Sequence, residues 1–145
     1  MKEDIYLVIK MYPTKEEILK EPQPPIEKEL TIIKKWKKLF YKNWNNKKET
    51  KKENQIISLL KTICNNYEIK NPKVKFDKKT QSCYNVQSKT IILQNTSIIT
   101  ALHELSHHLF GSSELKACRY SIWIFKLAFP KSFEKLNFKG HLLTK

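Results

Sequence analysis

Residues 103–107 read His-Glu-Leu-Ser-His, the stretch of this chain whose residue types and spacing speak most directly of chemistry. Positions four apart lie on nearly the same side of an α-helix, so His103 and His107 can hold one metal ion. Glu104 sits about 100° further round. That is too far to share the ion, yet close enough to hydrogen-bond a water beside it. Two imidazoles with a neighbouring carboxylate suit zinc and proton transfer, provided a third protein ligand leaves the fourth position open. Glu114 is the first candidate, because the Gly111-Ser112-Ser113 turn can fold the chain back toward the histidines. Its ordinary alternative role is as an acidic residue in the first turn of a helix capped by Ser112 or Ser113. Cys118 and His141 are more remote candidates. His108 points about 100° away from His107 and does not compete.

These side chains need a helix to hold them, and the local sequence supplies one. Ser97 is an N-cap residue, no Gly or Pro interrupts Ile98 to Phe110, and Gly111 is a stop. Leu102, Leu105 and Leu109 give that helix an apolar face. Before it, Thr90-Ile91-Ile92-Leu93 reads as a strand. After it, an apolar helix is expected from Ser113 to Phe129, ended by Pro130.

Upstream, Ile5–Tyr12 reads as a strand and Thr14–Lys20 as a short helix capped by Thr14. Pro22-Gln23-Pro24-Pro25 breaks any regular element. Helices follow over about Pro25–Asn43 and Lys51–Asn66, then short strands at Lys73–Phe76 and Cys83–Val86. Lys131–Leu136 is a final short helix. The expected fold class is α+β, with several helices packed on a small, mainly antiparallel sheet. Residues 1–25 form an N-terminal strand or arm with its Pro-rich link. Residues 26–145 form the main domain, with a basic helix at 26–43, the motif helix at 97–110 and the ligand-bearing helix at 113–129.

The run Leu102-His103-Glu104-Leu105-Ser106-His107-His108-Leu109-Phe110-Gly111, preceded by Thr90–Leu93, resembles the zincin metallopeptidases. Within them the chain is most similar to small gluzincin-like proteins of the ImmA/IrrE type, with SprT-like proteases as a second comparison. The resemblance covers residues 84–130. It implies a minimal zincin-like domain that holds Zn2+ and hydrolyses peptide bonds by a metal-activated water, with Glu104 as general base. Tyr120, Arg119 and His141 are then the candidates to stabilise the oxyanion. Substrate would add as an extended strand along residues 90–93. It also suggests a regulatory target, such as a DNA-associated protein. The alternative is an inactive zincin-like domain that serves as a basic nucleic-acid- or partner-binding module.

Net charge is the second signal. The 145-residue chain carries +14, almost all of it from lysine, with Arg119 as its arginine. Residues 28–52 hold ten lysines against Glu29 and Glu49. Ile32, Ile33, Trp36, Leu39 and Phe40 fall at helical spacing there, with Lys34, Lys35, Lys37 and Lys38 opposite. Such a helix packs its stripe and solvates its lysines, or contacts nucleic acid, or lies on a membrane or partner helix. Trp36, Tyr41 and Trp44 suit stacking on bases and ordinary burial equally.

A composition with 40% apolar residues and two glycines argues against disorder and for one domain with a modest core. No run approaches the ~18 apolar residues of a membrane span. Met1-Lys2-Glu3-Asp4 is too acidic to open a signal peptide. Cys64, Cys83 and Cys118 are odd in number and widely spaced, which suits reduced thiols and a cytoplasmic setting.

Overall fold

A computed structural model describes residues 14–20, 25–139 and 142–144. The strand expected at Ile5–Tyr12, most of the Pro-rich link and His141 lie outside the described residues. Those described form an α+β fold: six helices, a three-stranded mixed sheet and a two-stranded hairpin.

The first helix, α1 (Lys15–Ile18), is short enough to need its cap. Thr14 Oγ1 accepts from the Glu17 N–H, and Glu17 reaches back to the Thr14 N–H, so two end donors are satisfied reciprocally. Ile18 is fully buried against Cys118 and Ile122, Trp123 donates its indole N–H to the Ile18 carbonyl, and Arg119 Nε donates to the Glu17 carbonyl. Residues 14–20 thus belong to the packed body.

Helix α2 (Glu27–Phe40) and helix α3 (Glu49–Asn66) pack together, joined by a 3-10 turn at Trp44–Asn46. The turn needs a left-handed residue, and Asn43 at φ 58° provides it. Ile33 and Trp36 of α2 meet Ile56, Leu59, Leu60 and Ile63 of α3 in the main core. Trp36 also donates its indole N–H to the Gln55 carbonyl, 2.9 Å away. Leu39, counted with the apolar stripe, is instead 68% exposed.

The sheet consists of β1 (Lys73–Phe76), β2 (Cys83–Asn85) and β3 (Thr90–Leu93), in the order β1-β3-β2. β1 runs parallel to β3, and β2 antiparallel to it. Two expectations are corrected here. The sheet is mixed rather than mainly antiparallel. Residues 90–93 are its centre and not an edge, so they offer no free backbone for an added strand. The physical reason is burial: Ile91 and Leu93 have no exposed surface and Thr90 has almost none. A short strand covered on both faces suits the middle of a sheet.

Helix α4 (Ile98–Phe110) lies against β2 and β3, and helix α5 (Glu114–Ala128) packs back along α4. Leu102 and Leu105 are completely buried, each contributing about 1.5–3 kcal/mol by leaving water. Helix α6 (Pro130–Glu134) starts on a proline, whose missing N–H costs nothing at a first-turn position. The hairpin of β4 (Asn137–Lys139) and β5 (Leu142–Thr144) follows. No helix among the described residues is long and apolar enough to cross a membrane.

Candidate metal centre

Three local features set the site. Ser97 caps α4 by accepting from the Thr100 N–H, which fixes the start of the motif helix. The buried leucines fix its rotation. Gly111 then ends it at φ 103°, ψ −160°, a backbone region essentially reserved for glycine. Ser113 opens α5 by accepting from the Lys116 N–H. The reversal between the helices brings Glu114, the first residue of α5, over the side of α4 that carries the histidines.

His107 Nε2 lies 2.9 Å from Glu114 Oε1, and His103 Nε2 lies 3.3 Å from Oε2. One ligand atom from each of the three residues can be chosen so that all lie within 4.8 Å of one another. Glu114 is the most open, its side chain 44% exposed. The two imidazoles hold its carboxyl well below the usual carboxylate range. The hydrogen bond to Glu114 in turn raises His107, against the opposing effect of burial.

The remaining nitrogens decide which imidazole atom is available to a metal. His107 Nδ1–H donates to the Gly111 carbonyl at 2.9 Å, so Nε2 is the nitrogen that faces the cluster: it donates to Glu114 when protonated and offers its lone pair to a metal when neutral. The same carbonyl therefore belongs both to the helix stop and to the orientation of His107. His103 Nδ1 faces Cys118 Sγ at 4.0 Å. Cys118 thus approaches His103 from the ring nitrogen opposite the cluster, which removes it as the third ligand of this trio. Burial pushes its thiol up to about 12, so it is a neutral packing group behind His103.

Glu104 is buried, 6% exposed, and its carboxylate has no hydrogen-bond partner among the described residues. Burial raises its pKa, while the charges of His103 and His107 oppose that shift. A largely buried carboxylate beside two imidazoles, with free acceptor positions, is suited to exchanging a proton with a bound water.

His108 is turned elsewhere, as its angular position requires. Its Nε2–H donates to the Lys70 carbonyl, and Nδ1 accepts from the Tyr84 hydroxyl, both at 2.7 Å. This clamp ties the last turn of α4 to β2. Sequence reasoning missed it, although Tyr84 lies within a β-rich tripeptide whose middle residue faces inward.

Two oxyanion candidates lie away from the cluster. Arg119 donates its Nε–H to the Glu17 carbonyl. The Tyr120 hydroxyl is buried in the core near Glu29, whose other oxygen accepts from Tyr67 at 2.5 Å. Helix rotation from Glu114 carries both to other faces of α5. Lys37, grouped with the solvent lysines, is a correction. It is half-buried, donates to the Ala128 carbonyl at 2.8 Å and lies over the Phe129 ring. Trp36 and Trp44 are core residues, 5% and 8% exposed, packed edge to face.

The donor chemistry fits a borderline-soft divalent ion: two neutral imidazole nitrogens and one carboxylate, open on the Glu114 side. In comparisons with known proteins, no family model, no curated protein and no solved structure matches this chain.

Proposed function

We propose that this chain is a zinc-dependent peptidase in which His103, His107 and Glu114 hold the metal and Glu104 is the general base. The observation that carries the reading is the convergence of two imidazole Nε2 atoms on one carboxylate, beside an unpartnered buried Glu104. Zinc bound by such a set supplies Lewis acidity, activating water and polarising a carbonyl. The protein's own residues do the rest. The Gly111 carbonyl keeps His107 in the tautomer that presents Nε2. Glu104, raised by burial, takes a proton from the attacking water and returns it to the leaving amine. β2 is an edge strand of the three-stranded sheet and is fixed to α4 by the Tyr84–His108 clamp. An extended peptide pairing along β2 would cross the face of the motif helix. That edge replaces residues 90–93 as the surface for substrate.

The same three donors suit ferrous iron. Glu104, placed for hydrolysis, favours zinc. Elemental analysis of the purified protein tests the choice: about one zinc per chain supports the proposal, and iron or no metal overturns it. Cleavage of a mixed peptide pool, read by mass spectrometry with and without a chelator, then tests the reaction.

A second reading has its own observation. Arg119 Nε is bonded to the Glu17 carbonyl and the Tyr120 hydroxyl is buried in the core, which favours a zincin-like domain that keeps a structural metal without cleaving peptides. Stoichiometric zinc with no cleavage product across a diverse peptide pool would select it.

A further inference from the structure

Four lysines on one side of α2 and the turn after it, Lys34, Lys35, Lys38 and Lys42, are exposed and have no ion-pair partner among the described residues. Lys34 and Lys38 stand at i and i+4 on α2, a rise of about 6 Å along one row, and Lys42 follows in the turn just past the helix end. We propose that this face binds the phosphate backbone of duplex nucleic acid without reading its sequence.

Three observations select this partner. First, the lysines have no structural employment. Lys37 and Lys47, by contrast, are turned inward onto the Ala128 and Phe40 carbonyls. Second, the aromatic residues that interleave the lysines are packed away: Trp36 and Trp44 are buried, and Tyr41 stacks on Trp44 and abuts Phe129. Single-stranded binding needs exposed rings on which bases stack, and this face provides none. Third, a membrane-bound helix inserts an apolar face beneath its lysines. Here that face is used by the core, and Leu39 is the one large hydrophobic residue of α2 left exposed. A face of point charges without rings or apolar anchors matches a rigid array of phosphates.

Its position leaves the metal cluster free. Lys37 fixes this part of α2 to the C-terminal end of α5, at Ala128. Glu114 stands at the other end of that 15-residue helix, roughly 20 Å away along its axis. The inference is independent of the zinc proposal, because neither the metal nor catalysis enters its test.

That test measures fluorescence anisotropy of a labelled 20-base-pair duplex across a salt series, using the full chain. Lys34→Gln, Lys35→Gln, Lys38→Gln and Lys42→Gln are combined in one variant. A second variant removes the same charge from the exposed lysines of the β1 region: Lys73→Gln, Lys75→Gln, Lys78→Gln and Lys79→Gln. For wild type, log K is expected to fall with log salt at a slope of about −3 to −4, as for four phosphate contacts. The α2 variant should lose most of that slope and at least ~10-fold in affinity, with the β1 variant staying within ~3-fold. The half-sets Lys34/Lys35 and Lys38/Lys42 should each remove about half the slope, which keeps the test usable if the fourfold variant folds poorly. Equal loss in both fourfold variants would reduce the effect to net charge and overturn the site. So would tighter binding to a single strand of the same length, or to phosphatidylserine vesicles, or no binding at all.

Discussion

Glu104 and Glu114 flank the same pair of imidazoles, and their surroundings send them in opposite directions. Glu114 is partly open and accepts from His107, so its proton is held weakly and its oxygens are ready to ligate. Glu104 is buried without a partner, so its proton is held more tightly than in water. Carboxylates driven apart in this way divide the roles of ligand and base between them. Glu104→Gln is therefore expected to retain zinc at full stoichiometry and the wild-type circular dichroism, while peptide cleavage falls by about 10²–10⁴-fold. Glu114→Gln should do the reverse first: zinc affinity drops by more than the 10–100-fold typical of an outer-shell change, and activity follows the metal. Competition with a zinc-binding dye separates the two. If Glu104→Gln loses the metal, or Glu114→Gln keeps it, the assignment of roles fails.

At the scale of elements, the α4–α5 reversal is what turns a helical motif into a three-residue site. Its restriction is conformational, since nothing lies within 4 Å of a Cβ built on Gly111. With φ 103° and ψ −160°, the backbone lies outside the left-handed pocket that asparagine tolerates. Gly111→Ala and Gly111→Asn should therefore destabilise the protein alike, by about 1–3 kcal/mol, and weaken zinc binding through the displaced carbonyl under His107. Urea unfolding of both variants checks this, and a clear rescue by asparagine would mean a left-handed turn instead. The helix stop and the caps were legible in the sequence because Ser97, Gly111 and Ser113 act through neighbours a few residues away. The approach of Glu114 to the histidines was legible for the same reason. The place of β3 depended on partners far along the chain. Yet Thr-Ile-Ile-Leu, apolar on both faces, already argued for a central strand. The β4–β5 pair was missed, because Asn137-Phe138-Lys139 carries little strand signal of its own. Arg119, Tyr120 and Lys37 could not be placed from spacing, because the groups they lie beside, Glu17, Glu29 and Ala128, are remote in sequence.

Across the whole molecule, the three cysteines divide by burial. Cys64 and Cys118 are buried, with their thiols pushed up to about 11 and about 12, whereas Cys83 is exposed. Alkylation at pH 8 should therefore modify Cys83 alone in the folded protein and all three in denaturant; early labelling of Cys118 would place it outside the core behind His103. Metal binding tests the same architecture at larger reach. The proposed ligands come from two helices that share the core, and Glu114 stands at the mouth of the turn joining them, so an ion held there ties α4 to α5. A ligand that binds only the folded chain adds RT ln(1 + [L]/Kd), about 2.7 kcal/mol at a hundredfold excess over Kd. For a chain of this length, each kcal/mol moves the midpoint by about 2–4 °C. Zinc should accordingly raise Tm by roughly 5–11 °C, a chelator should reverse the rise, and Glu104→Gln should retain it. Glu114→Gln should lose most of it, because two imidazoles on one helix hold the ion without bridging to the next. A zinc-induced shift that survives Glu114→Gln unchanged would mean that the metal is held within α4 alone, and the two-helix site would have to be abandoned.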